Sequence, residues 1–209
     1  MQTHQINWQE VMNGITVDCS LDVAIHKGGS NVVLLIIPGV DGSLDGYENK
    51  YLRIAESVFE KHKASVVRMS NPFITSYHWK SNVRRIFEFI EENKDLVSSH
   101  DELDIRIMAH SAGAAVIAQI AWEYPEVTRL LLINPATQLG IAKIHLGLNE
   151  LQDVNTTILV GGDDPSFDVV QELSVIDNIR IVAIEGADHN FSSEHFPAFI
   201  SSPETYLFS

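Results

Sequence analysis

The sequence predicts an α/β protein with a mostly parallel central sheet and helices on both faces. Three observations predict it. Short, apolar, β-branched runs recur along the chain, each stopped by turn residues. Segments with helical periodicity lie between them. A strictly alternating stretch precedes the first apolar run, the mark of an antiparallel addition at the edge of a parallel sheet.

In chain order, "ITVDCSLDVAIHK" (15–27) is the alternating stretch, read as a hairpin or edge strand. "NVVLLIIPG" (31–39) is a continuous apolar run stopped by Pro-Gly, as in a strand buried on both faces. "ASVVRMS" (64–70), "DIRIMAH" (104–110), "TRLLLINP" (128–135), "TTILVGG" (156–162) and "IRIVAIEG" (179–186) repeat that pattern. Between them, Tyr51, Ile54, Ala55 and Val58, then Val83, Ile86, Phe87 and Ile90, recur at helical spacing and define one buried stripe each. Strand and helix in alternation require right-handed crossovers, which build a parallel sheet covered on both sides.

At 209 residues, with no stretch rich in Pro, Gly or Ser to divide it, the chain is expected to be a single domain, 1–209. Hydrophobic residues make up 45% and charged residues 20%, enough apolar surface for a sizeable core. Fourteen basic against 28 acidic residues give a net charge of −14, which repels phosphate backbones and anionic lipid, so neither nucleic acid nor a membrane is an expected partner. "MQTHQINWQEV" carries no basic segment followed by an apolar one, and a cytoplasmic location is expected. The lone Cys19 sits in the alternating stretch and reads as a strand residue with no chemical role. Oligomeric state is not legible.

Ligands of such a sheet bind beyond the carboxyl ends of the strands, and Ser111 follows "DIRIMAH" directly. A Ser there becomes a nucleophile when the strand-to-helix turn is sharp enough to present its hydroxyl, which requires small neighbours. Ala109 and Gly113 flank it at two residues' distance, and Ala112, Ala114 and Ala115 extend the small-residue run. Ser also caps helices, and this pentapeptide alone does not separate the two roles.

The pattern is the G-x-S-x-G nucleophile elbow with Ala in the first place, and here the sequence resembles the α/β-hydrolase family. The resemblance covers roughly residues 15–195. It implies the order Ser, acid, His, with each partner just beyond a later strand. "TTILVGGDDPSFD" matches the family's Gly-x-x-Asp at Gly161 to Asp164, followed by Pro165, and "IRIVAIEGADHNF" matches Gly-x-x-His at Gly186 to His189. The implied catalytic residues are Ser111, Asp164 and His189. Asp163 stays open as the acid, in which case Asp164 would cap the next helix.

The resemblance further implies an oxyanion hole from two backbone N–H groups, those of Ala112 and of Val40 in "IIPGVDGSLDG". Two departures stand in that loop. Pro38 replaces the family's usual His, removing a side chain that helps to hold the loop, and Asp41 puts a carboxylate beside a developing negative charge unless it points away, for instance toward the next helix N-terminus. Only "ATQLGIAKIHLGLNELQDVN" separates Pro135 from the next strand, room for about one helix and a loop rather than a lid domain.

The implied function is hydrolysis of small carboxylic esters through an acyl-enzyme, with a small-molecule substrate and no cofactor. A thioesterase or peptidase would use the same residues, and the loop departures keep a non-catalytic ligand-binding protein open. His189 and His195 in "HNFSSEH" match no common metal-ligand spacing, so no metal is expected. Phe73, Tyr77 and Trp79 in "NPFITSYHW" either line a pocket or pack on the sheet.

Overall fold

Alternation within the buried strands decides how the sheet is covered. The computed structural model describes residues 1–72 and 79–209, and of Trp79 the backbone only. Eight strands among them, β1 (Gln2–Met12), β2 (Ile15–His26), β3 (Val32–Ile37), β4 (Ser65–Met69), β5 (Asp104–His110), β6 (Val127–Ile133), β7 (Asn155–Gly161) and β8 (Ile179–Ile184), form one sheet in the order β1-β2-β4-β3-β5-β6-β7-β8. The helices are α1 (Lys50–His62), α2 (Trp79–Glu92), α3 (Lys94–Val97), α4 (Ala112–Ile120), α5 (Ile141–Asn149), α6 (Phe167–Gln171) and α7 (Phe196–Tyr206).

Val33, Leu35 and Ile37 of β3 pack in one cluster with Val83 and Ile86 of α2, Ile117 of α4 and Ile144 of α5. Leu34 and Ile36 of the same strand join Ile54 and Val58 of α1 and Phe199 of α7 on the opposite face. Burying each such side chain contributes about 1.5–3 kcal/mol, so both faces need a helical layer. This is the covered, mostly parallel sheet that the apolar runs predict: strands β3 to β8 pair in parallel throughout.

The antiparallel addition is larger than the sequence suggests. β2 pairs antiparallel with β4, and β1, which the sequence reading leaves unassigned, pairs antiparallel with β2 along its whole length. Asn13 and Gly14 make the hairpin turn at φ 50° and 79°, the left-handed pair that a tight hairpin needs. Cys19 is buried in β2. At the other end, α7 lies beyond the span of the family resemblance and covers the β3 face with α1.

From β3 the chain crosses to β4 on one side and then to β5 on the other. Connections therefore leave β3 and β5 in opposite directions, opening a crevice at their carboxyl ends. Between β6 and β7 stand one short 3₁₀ turn (Thr137–Leu139) and α5. No helix among the described residues is long and apolar enough to cross a membrane.

Candidate active site

Ser111 sits at the β5–α4 junction with φ 55° and ψ −120°, a region that a residue with a Cβ enters only under compulsion. The compulsion is hydrogen bonding: its N–H donates to Ile133 O (2.9 Å), and its carbonyl accepts from Ala115 N (3.0 Å) and Ala136 N (3.1 Å). Although Ser111 occupies the N-cap position of α4, its hydroxyl makes no capping bond. Gly113 is needed because a Cβ there would lie 2.4 Å from Pro38 O. The small-residue run thus lets α4 start hard against the end of β3.

The Ser111 hydroxyl lies 2.8 Å from His189 Nε2, and His189 Nδ1 lies 2.5 Å from Asp164 Oδ2. A carboxylate only accepts, so Nδ1 carries the proton and Nε2 is free to accept from the hydroxyl. Asp164 is buried, and its other oxygen accepts from Ser166 N (2.6 Å). Burial alone would raise this carboxyl; the bonds from His189 and Ser166 outweigh it and hold the group below its ordinary range. Asp164 therefore performs both tasks that the sequence left divided between two residues, facing the His and capping the turn ahead of α6. Asp163 is exposed, its backbone N–H bonded to Ala187 O (3.0 Å). Pro165 lies in the turn before α6 rather than in its first turn.

The loops after β7 and β8 are locked to each other. A Cβ at Gly161 would fall 2.3 Å from Ala187 O, so only glycine permits the approach. Asn134, fully buried after β6, bridges the two: its Oδ1 accepts from Gly161 N (2.8 Å) while its Nδ2 donates to His189 O (2.9 Å) and Asp188 O (3.2 Å). His110 adds a bond from Nε2 to His189 O (3.0 Å). Burial, aided by the nearby Lys50 charge, pulls the His110 pKa down to about 3 and keeps that imidazole neutral.

On the other side of Ser111, the loop after β3 carries Val40, and the Val40 and Ala112 N–H groups have no hydrogen-bond acceptor among the described residues. The loop is held without the missing His by Asn71. Its Nδ2 donates to Pro38 O (3.0 Å), its N–H to Gly42 O (2.9 Å), and its carbonyl accepts from Asp41 N (2.9 Å). Asn82 of α2 in turn donates to Asn71 Oδ1 (2.9 Å). Asp41 has φ 53° and an exposed side chain.

A cleft of about 350 Å³ opens over Ser111, lined among others by Val40, Asp41, Tyr47, Lys50, Tyr51 and His189. Sequence reasoning names neither Lys50 nor the three buried asparagines, whose partners all lie far off in the chain. Phe73 and Tyr77, and the side chain of Trp79, fall outside the described residues. No group of three or more His, Cys, Asp or Glu side chains among the described residues is placed to hold a metal ion.

Sheet order, elbow and crevice together define the α/β-hydrolase fold. Solved structures agree. Est1E from Butyrivibrio proteoclasticus superposes with TM-score 0.71 at 14% identity, covering 97% of each chain. An α/β serine hydrolase without lid from Xanthomonas campestris gives 0.64 at 14% identity, over 98% of this chain and 94% of that one. The esterase domain of a Rhodothermus marinus protein gives 0.63 at 12% identity, over 99% and 100%. At the level of sequence, no protein-family model and no curated protein matches the chain.

Proposed function

We propose that the protein is a serine hydrolase that cleaves small carboxylic esters. The observation that carries this reading is the unbroken hydrogen-bond series from Ser111 through His189 to Asp164, starting at a strained elbow that opens on a cleft. Ser111 Oγ attacks the carbonyl carbon while His189 Nε2 takes the hydroxyl proton. Asp164 holds the imidazole in the productive tautomer and stabilises its charge. The Val40 and Ala112 N–H groups receive the oxyanion. As the tetrahedral intermediate collapses, the bond to the alcohol oxygen breaks and His189 protonates that oxygen, leaving an acyl-Ser111. Water then attacks the acyl carbon, gives a proton to His189, and the carboxylic acid leaves as the proton returns to Ser111 Oγ. Apart from substrate and water, these steps need no group that the chain does not supply.

Two neighbours of the fold are named as an esterase domain and as an α/β serine hydrolase without lid, which supports ester chemistry here. We read residues 1–209 as a single domain without a lid: one 3₁₀ turn and α5 are all the helical structure between β6 and β7 among the described residues, so short acyl groups suit the cleft better than long chains. Labelling with a fluorophosphonate, which reacts with activated serines, tests the reading. Wild type should label within minutes and Ser111→Ala should not. A folded wild type that stays unlabelled overturns the hydrolase reading in favour of a binding protein on this fold.

A further inference from the structure

Two cations of the described residues are buried, and they are treated differently. Arg68 of β4 is 1% exposed and has partners, an ion pair with Asp45 and a hydrogen bond to Leu44 O. Lys50, the first residue of α1, is 5% exposed; its backbone N–H bonds to Tyr47 O, but its ammonium has no ion pair or hydrogen bond among the described residues. Its Nζ stands 4.3 Å from the Phe199 ring centre and 5.2 Å from that of Tyr51. Aromatic faces attract a cation but do not neutralise it. Withdrawing an ammonium from water without a counter-charge costs folding free energy, so a chain that keeps one leaves that charge available to something else.

Lys50 lines the cleft over Ser111. Burial draws its pKa down to about 8, so the ammonium is still the main form at neutral pH. Asp41 lines the same cleft but is exposed, and its charge is screened by water as that of Lys50 is not. The chain's net charge of −14 offers no long-range attraction to anions, which makes this local cation the feature that would select one.

We propose that Lys50 determines specificity by receiving a carboxylate carried on the substrate, so that the site prefers hemiesters of short dicarboxylic acids over neutral esters of the same length. A single ammonium walled by two aromatic rings suits a carboxylate; a phosphate would call for the several converging donors that this wall lacks. The products are an alcohol and a dicarboxylate. The proposal rests on the hydrolase reading for its substrate and on the cleft alone for its anion.

The experiment compares monoethyl succinate, glutarate and adipate with ethyl butyrate, pentanoate and hexanoate, using wild type, Lys50→Met and Lys50→Gln. In wild type the best hemiester should exceed its neutral match in kcat/KM by at least about tenfold, the scale of one hydrogen bond to a charged group. Both variants should lose that ratio, chiefly through KM. Fluorophosphonate labelling and glutarate-induced thermal shift are run in parallel, since an anion that binds the folded state raises Tm. Labelled protein without a hemiester preference, or a preference that survives in either folded variant, overturns the Lys50 assignment and leaves the hydrolase reading intact. If wild type does not label, the hydrolase reading falls instead. In that case a glutarate-induced rise in Tm that Lys50→Met lacks still supports the carboxylate site, and no rise overturns it.

Discussion

The two walls beside Ser111 are built from different materials. On one side, beside the Asn134 bridge, the loops after β7 and β8 rest on carboxylates: Asp164 joins them through His189 and also takes Ser166 N, and within the second loop Asp188 Oδ1 accepts from Ser192 N (2.8 Å) and Asn190 N (3.0 Å). On the other, the loop from Pro38 to Gly42 hangs on the neutral amides of Asn71 and Asn82. In the proposed reaction the charged wall holds groups that must change partners with a proton in transit, and the neutral wall only has to keep a backbone N–H in place. One wall should respond to charge substitution and to pH, the other to loss of shape.

The largest effect should come from the charged wall. Replacing Asp164 by Asn keeps the volume but presents an amide to His189 Nδ1 and favours the wrong tautomer. We expect kcat to fall at least about a hundredfold, a cautious fraction of the loss that a comparable Asp→Asn change produces in a serine protease. Asp163→Asn, at an exposed side chain, should stay within about tenfold by the same measure. Steady-state rates of the two variants, checked for equal folding by circular dichroism, decide between them. Reversed magnitudes would move the acid to Asp163.

That wall is also the one that can be read from sequence, for a physical reason. Gly161-x-x-Asp164 and Gly186-x-x-His189 are short segments in which strand end, turn and functional side chain are neighbours in the chain. The parallel strands are legible for the same reason, since each is a self-contained apolar run. What is not legible depends on partners far away. Asn71 and Asn82 look like any loop or helix asparagine until the fold brings Pro38 beside them, and Lys50 looks like a surface cation at a helix start. β1 escaped because its inward face carries His4 and Glu10 beside Ile6 and Trp8. The Asn13-Gly14 turn between two alternating stretches was the signal that would have found it.

The neutral wall should give a middling effect of another kind. Asn71→Ala leaves Pro38 O without its donor in the interior and removes one of the two acceptors of Asn82 Nδ2, which keeps Pro72 O (2.9 Å); a buried polar group left unpaired costs about 1–3 kcal/mol. Urea unfolding should show a loss of that order. The Val40 N–H would then be less well placed, and losing one oxyanion donor outright costs about 10²–10³ in kcat, so a loosened one should cost on the order of tenfold. Both losses should be nearly the same at pH 5 and pH 8, because the bonds removed are those of neutral amides. A catalytic loss that grows steeply on acidification would show that the two walls are not independent.

The smallest effect returns to the charged side. Asp188 is exposed, and the N–H groups of Ser192 and Asn190 hold its carboxyl below the ordinary value of 3.8. A carboxyl lowered by folding contributes stability that is present above the unfolded pKa and is lost as pH falls through the folded one. Asp188→Asn keeps an acceptor oxygen for both amides and removes only the charge, so it removes only the pH-dependent part. In water that part is screened to a few tenths of a kcal/mol. For a chain of this length such a change amounts to about 1 °C in Tm. Calorimetry should therefore find the variant about 1 °C less stable than wild type near pH 6, with the difference smaller near pH 3 and smaller still below it, as the folded carboxyl takes up its proton. A deficit of the same size at both pH values would assign the contribution to the shape of the turn instead of the carboxylate charge, and would leave Asp164 as the one charged support of that wall.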